Sequence, residues 1–191
     1  MAGSFKSFSD EKLMELIVQR NQLAFAELYD RYSGKLMTYF MRMLWNDREM
    51  AEDQVQEVFM KIARQPELFD LSRVFRPWVY TIAYNNCKME YRKAAKRGRP
   101  ISLENAPEPS DSNAMITEKV DRKAFLIRLK EVLENIKEPH KSTFTLRYFD
   151  ELSLKEIAEI HNCSEGTVKS RLFYTLRKIA DRLPQFQNLV S

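Results

Sequence analysis

The 191-residue chain has only four glycines, two cysteines and two histidines, and each shortage closes off a class of protein. So few glycines leave little room for hairpin turns or for loops that cradle phosphates on bare backbone. Cys87 and Cys163 have no second cysteine at metal-ligand spacing, and with His140 and His161 they form no i, i+4 pair and no C-x-x-C, so no zinc set is indicated. A reducing cytoplasm is the expected compartment. The N-terminal stretch MAGSFKSFSDEKLMELIVQR lacks the long apolar run of a signal peptide or membrane span. No nucleophile, base and orienting group recur together, and the acids fall on helix faces; neither catalysis nor a bound cofactor or small-molecule substrate is expected.

What is abundant is helix-forming. Leu, Glu, Lys, Arg, Met and Ala dominate, and 44% hydrophobic content supports one compact domain or two small ones, of which two fit better. The segment 98–114, GRPISLENAPEPSDSNA, carries three of the seven prolines and few large apolar residues. It reads as an exposed linker. The expected fold is all-α: two small helical domains, 1–97 and 117–191, joined by a flexible linker over 98–116, the C-terminal one a helix-turn-helix.

That last assignment rests on LSLKEIAEIHNCSEGTVKSRLFYTLRKI, residues 152–179. Leu154, Ile157, Ala158 and Ile160 supply the packing face of a first short helix. Asn162 stands where the turn needs a left-handed residue, and Ser164 is placed to cap the next helix by accepting from the Thr167 amide. Val168, Leu172, Leu176 and Ile179 form the buried stripe of the second helix. Lys169, Ser170, Phe173, Tyr174 and Arg177 are left facing outward, offering cations for phosphate, a hydroxyl for a base edge and aromatic surface for a thymine methyl. Arg171, at the stripe's edge, is expected to snorkel toward a phosphate. An ordinary three-helix packing unit with a solvated face is the plainer alternative.

The N-terminal half adds two oppositely charged segments. Between Asp47 and Glu57 stand five acids and one base; between Lys88 and Arg99, six bases and one acid. Two different partners are implied, one of them polyanionic. Ser9 starts a helix with Leu13, Leu16 and Ile17 on its stripe; the next segment carries core aromatics with a break expected at Ser33 and Gly34. A third helix, from Asp47 toward Pro66, buries Ala51, Val55, Val58, Phe59 and Ile62. Asp53, Gln56, Glu57 and Met60 share its other side, either a solvated face or a docking face for a basic partner. Pro77 opens a long helix in which Trp78, Val79, Ile82 and Ala83 pack. Tyr84, Asn85, Lys88, Tyr91, Arg92 and Lys96 follow, a mixture suited to unstacked single-stranded nucleic acid, though basic residues also suit a helix end. Beyond the linker, Val120, Phe125, Leu126, Leu129, Val132, Leu133 and Ile136 mark a further helix, and Pro139 opens another.

In this order, AFAELYDRY, AEDQVQEVFMKIA, FRPWVYTIAYNNCKMEYRKAAKR and the helix-turn-helix segment beginning LRYFDEL resemble an extracytoplasmic-function sigma factor of bacterial RNA polymerase, over roughly residues 8–182. The resemblance implies a region 2-like domain over 1–97 and a region 4-like domain over 117–191, without region 1.1, a folded region 3 or further C-terminal domains. It implies that Asp53, Gln56, Glu57 and Met60 dock on core polymerase. By the same resemblance Tyr84, Asn85, Lys88, Arg92 and Lys96, with the loop before Pro77, meet the minus-ten element and hold a flipped base. Thr167, Lys169, Ser170, Phe173, Tyr174 and Arg177 would read the minus-thirty-five element, with Arg147 and Arg171 clamping its phosphates. An anti-sigma protein is implied as a further partner, and membrane insertion is not. The chain departs from the family at Arg76, Pro77, Tyr84 and Asn86 and in CKMEYRK. A stand-alone helix-turn-helix regulator would share only the last sixty or so residues.

Overall fold

A computed structural model describes residues 5–97 and 118–184, with the side chains of 118–124 excepted. The linker expected over 98–116 lies outside the described residues. Helices α1 (Asp10–Val18), α2 (Gln22–Met43), α3 (Arg48–Arg64) and α4 (Phe75–Lys96) precede it, and α5 (Glu118–Glu134), α6 (Glu138–Tyr148), α7 (Leu154–His161) and α8 (Glu165–Arg182) follow; no strand occurs among the described residues.

Local chemistry sets most boundaries. Ser9, Asn21 and Asp47 cap α1, α2 and α3 by accepting from the amides of Lys12, Ala24 and Met50, each satisfying a donor the helix start leaves open. Trp45 and Asn46 both take positive φ, turning the chain between α2 and α3. The break expected at Ser33 and Gly34 does not occur, and α2 runs through it. A mid-helix glycine costs about 1 kcal/mol, and burial of Tyr32, Leu36, Tyr39 and Phe40 on either side outweighs that. α4 begins at Phe75, two residues before Pro77, and its first turn is capped from a distance: the Phe75 amide donates to Glu11 Oε1 at 3.0 Å. At the N-terminus Arg31 holds Asp10 at 2.7 Å and Glu27 at 2.8 Å, and donates to the carbonyls of Phe5, Lys6 and Phe8.

The two halves are not independent. The main core gathers Leu36, Tyr39, Phe40, Tyr80, Ala83 and Cys87 from the first half with Leu146, Leu152, Ile157 and Ile160 from the second. A smaller core, Leu129, Leu133, Ile136, Phe144, Ile179 and Leu183, joins α5, α6 and α8. Between the cores lies α6, on which Lys141, Ser142, Thr143 and Thr145 are all buried. This helix is the wedge of the second half, inserted against α2 and α4.

Candidate nucleic-acid and protein interfaces

The helix-turn-helix forms as its residues require. Ser153 and Glu156 make a reciprocal capping box at the start of α7. Asn162 sits at φ 48°, ψ 56°, the left-handed geometry that asparagine tolerates. Ser164 accepts from the Thr167 amide at 3.1 Å and bonds the Thr167 hydroxyl at 3.0 Å, so Thr167 is partly engaged in capping. Val168, Leu172 and Ile179 are buried, as Ile157, Ala158 and Ile160 are in α7, while Lys169, Ser170, Phe173, Tyr174 and Arg177 are exposed together on α8. Phe173 is 69% exposed, an aromatic ring largely uncovered by the described residues. Tyr174 is steadied from one side by the His140 ring at 4.8 Å and approached by Lys178 at 5.8 Å.

Two cations expected near this face are engaged elsewhere. Arg147 donates to the Leu152 carbonyl at 3.0 Å, tying down the α6–α7 turn. Arg171 turns inward and donates to His161 Nδ1 at 2.8 Å. Since guanidinium can only donate, Nδ1 must be bare and the imidazole neutral, its proton on Nε2 facing Ser142 Oγ at 3.0 Å. Burial, then Arg171 and Lys88, hold this histidine down to about 3.

On α3, Asp53, Gln56, Glu57 and Met60 are all exposed, and Ala51, Val55, Val58, Phe59 and Ile62 buried, as the periodicity requires. Asp53, Gln56 and Glu57 border a groove of about 710 Å³ whose far wall is Asn86, Met89, Glu90 and Lys93 of α4. Its acidic rim suits a basic protein surface.

On α4 the outcome is mixed. Asn85, Arg92 and Lys96 are exposed and Lys88 half-buried. Tyr91 instead belongs to the core, donating to the Met43 carbonyl at 2.6 Å. Tyr84 is only 6% exposed, its ring stacked on His161 at 4.2 Å and 13°. The loop before α4 presents Leu68, Leu71 and Val74, with Asp70 accepting from the Ser72 amide and hydroxyl.

A seam the sequence did not indicate runs between the halves. Tyr80 donates to Asp150 Oδ1 at 2.9 Å and Arg76 to the Asp150 carbonyl. Tyr39 and Ser142 share a hydrogen bond at 3.0 Å, the Arg42 guanidinium lies 4.0 Å over the Phe149 ring, and Arg73 pairs with Glu159 at 2.9 Å. Burial raises the Asp150 carboxyl to about 6 and the Glu138 carboxyl, beside Tyr84 and Lys88, to about 7. The members of these pairs lie 70 or more positions apart, and no local pattern connects them.

Residues 28–97 match the family model for sigma-70 region 2, and residues 126–179 that for sigma-70 region 4. The chain is similar to the ECF RNA polymerase sigma-E factor of Haemophilus influenzae, 31% identical with 93% of this chain and 97% of that protein covered. It is also similar to the ECF RNA polymerase sigma factor SigW of Bacillus subtilis, 30% identical with 85% and 90% covered. Its fold resembles CnrH, solved in complex with the cytosolic domain of CnrY, at a TM-score of 0.68, 20% identity and 93% and 99% coverage. It likewise resembles the sigma factor RpoE of Bartonella quintana, solved with the anti-sigma factor NepR, at 0.61, 22% identity and 84% and 96% coverage.

Proposed function

The chain belongs to the extracytoplasmic-function sigma factors of the sigma-70 family, and from that premise we infer how its faces divide the work of starting transcription. It is an alternative sigma factor: it binds core bacterial RNA polymerase and directs initiation at promoters carrying minus-thirty-five and minus-ten elements. Residues 1–97 serve as the region 2 domain and 117–191 as the region 4 domain. Asp53, Gln56, Glu57 and Met60 form the polymerase-docking face. Lys169, Ser170, Phe173, Tyr174 and Arg177, with Thr167 at the helix start, meet the minus-thirty-five duplex, and Arg147 and Arg171 clamp its phosphates once they exchange the Leu152 carbonyl and His161 for DNA. Tyr84, Asn85, Lys88, Arg92 and Lys96 meet the minus-ten strand.

The observation that carries this reading is the exposure, in one chain, of an acidic helix face and of a basic and aromatic recognition helix on the opposite half. A sigma factor needs both. It works without chemistry of its own, by binding energy alone: unstacking a base costs a few kcal/mol, and stacking a captured base returns about 1–3 kcal/mol. No helix among the described residues is long and apolar enough to cross a membrane; the proposed site of action is the bacterial cytoplasm, with an anti-sigma protein as a regulatory partner.

Run-off transcription from a promoter library, with bacterial core polymerase in the presence and absence of the chain, tests the reading. Transcripts that need the chain and share upstream blocks support it and supply the consensus. A chain that shifts duplex DNA yet neither binds core polymerase nor alters initiation would instead be a stand-alone helix-turn-helix regulator.

A further inference from the structure

We propose that the chain carries a binding site for a small aliphatic carboxylate, in a cavity where the end of α2 meets α5 and α6. Lys141 and Thr145 take the carboxylate, and the leucines of α5 take the tail. The site is separate from the polymerase and promoter faces given above, and its binding can be measured whether or not that division of faces holds.

The cavity holds about 210 Å³. Leu126, Leu129 and Leu133 line it from α5, Met41 from α2, and Phe149 from the end of α6. Leu129 and Leu133 belong to the smaller core, while Met41 packs against the larger one; the cavity lies between the two. At roughly 30 Å³ for each atom the size of a water or a methylene, it has room for about seven. A single helical turn, about 10 Å across and 5.4 Å long, fills roughly twice that volume. The occupant that fits is a short chain and not a segment of folded protein.

The α6 wall supplies the polar atoms. Lys141 and Thr145 stand one turn apart on the same face, 3% and 0% exposed, and both border the cavity. The Thr145 hydroxyl has no hydrogen-bond partner among the described residues, and the Lys141 ammonium makes neither an ion pair nor a hydrogen bond with them. Glu134, whose charge reaches Lys141, is held by Lys130 at 4.0 Å. Arg42 lies over the Phe149 ring and faces Asp150. Three cations and one acid therefore border the cavity, and that balance favours an anion. Enclosing an ammonium and a hydroxyl without partners is costly, and a carboxylate answers both by accepting from each. A bare inorganic anion would leave the leucines uncovered, and a hydrocarbon would leave both donors unmet. Apolar walls with a few convergent polar groups are the ordinary build of a small-molecule site.

The test is isothermal titration calorimetry of the full chain with hexanoate. Binding at one site per chain with Kd below about 1 mM is expected; no saturable heat up to about 5 mM overturns the proposal. Acetate, which lacks the tail, and hexylamine, which inverts the charge, should bind at least tenfold more weakly, and equal binding by either overturns it. Lys141→Met keeps a long side chain and removes the charge. It should lose at least tenfold for hexanoate while binding hexanol no less tightly than the parent does. Leu126→Trp, at a half-exposed position on the wall, fills the cavity and should abolish binding of both compounds at unchanged helical content. Hexanoate bound undiminished by either folded variant occupies some other site, and the proposal fails.

Discussion

Replacing Asp150 by asparagine should stabilise the chain at neutral pH, although it removes a charge flanked by Arg42 and Arg76. Burial raises this carboxyl from an ordinary 3.8 to about 6 despite the Tyr80 hydrogen bond and the nearby guanidinium groups. About two pK units at roughly 1.4 kcal/mol each make ionisation near 3 kcal/mol more costly in the folded chain than in the unfolded one. Solvent at the half-buried turn reduces that to about 1–2 kcal/mol. Asparagine keeps an oxygen to accept from Tyr80 and carries no charge to desolvate. For an acid whose pKa is raised on folding, the stabilising contribution is complete below the unfolded pKa near 3.8 and is lost as pH rises through about 6. The advantage of the variant should therefore be absent at pH 3.5, grow between pH 4 and 6 and level off above. Urea titrations at a series of pH values, with m of about 2–3 kcal/mol/M, would show the midpoint moved up by about 0.5 M at pH 7.5. A variant less stable than the parent at pH 7.5, or a gap that ignores pH, would show that the arginines hold the anion favourably and that the reasoning is wrong.

Asp53→Ala combined with Glu57→Ala should lower core-polymerase affinity at least tenfold while leaving folding within about 0.5 kcal/mol, since both side chains are exposed; undiminished retention in a pull-down would count against the docking face. Lys169→Ala should weaken binding to the minus-thirty-five duplex and flatten the slope of log K against log salt by about 0.9. Phe173→Ala should weaken the same binding without changing the slope, and a matching loss of polymerase binding in either variant would refute the division of roles. In the core, Phe40→Ala should cost about 3–5 kcal/mol against about 1 kcal/mol for loss of the α7 cap in Ser153→Ala, read as urea midpoints; comparable costs would contradict the burial pattern.

What the sequence made legible was local. Ser9, Asp47 and Ser164 cap where side-chain oxygen precedes an apolar stripe, and Asn162 turns left-handed where the helix-turn-helix needs it. The stripe of α3 emerged correctly, and that of α8 did so except that Thr175 is buried where Leu176, only partly buried, was expected; each of those helices is covered on one side only. On α4 the reasoning met its limit. Tyr84 and Tyr91 fall among cations and read as surface, yet Tyr91 packs beneath Trp45 and Tyr84 beneath His161. A helix covered on several sides shows no clean amphipathic period, and partners supplied from the far half of the chain leave no mark in a local window. The same holds for Asp150 and Glu138, ordinary surface acids by sequence, whose altered ionisation comes from burial alone. Gly34 failed as a signal for a different reason, since a helix break there would have cost the packing on both sides.

The wedge helix α6 has a further consequence. Its hidden face is lined with Lys141, Ser142, Thr143 and Thr145, and burial above all, with the Lys130 charge nearby, draws the lysine down to about 8. A helix meant to stay inside would be better filled with leucine and valine, but parting the halves would then bare a broad greasy surface inviting aggregation. Threonine, serine and lysine lose some cohesion when enclosed and are readily wetted when released. If the halves part, the face this helix uncovers is therefore one that water wets.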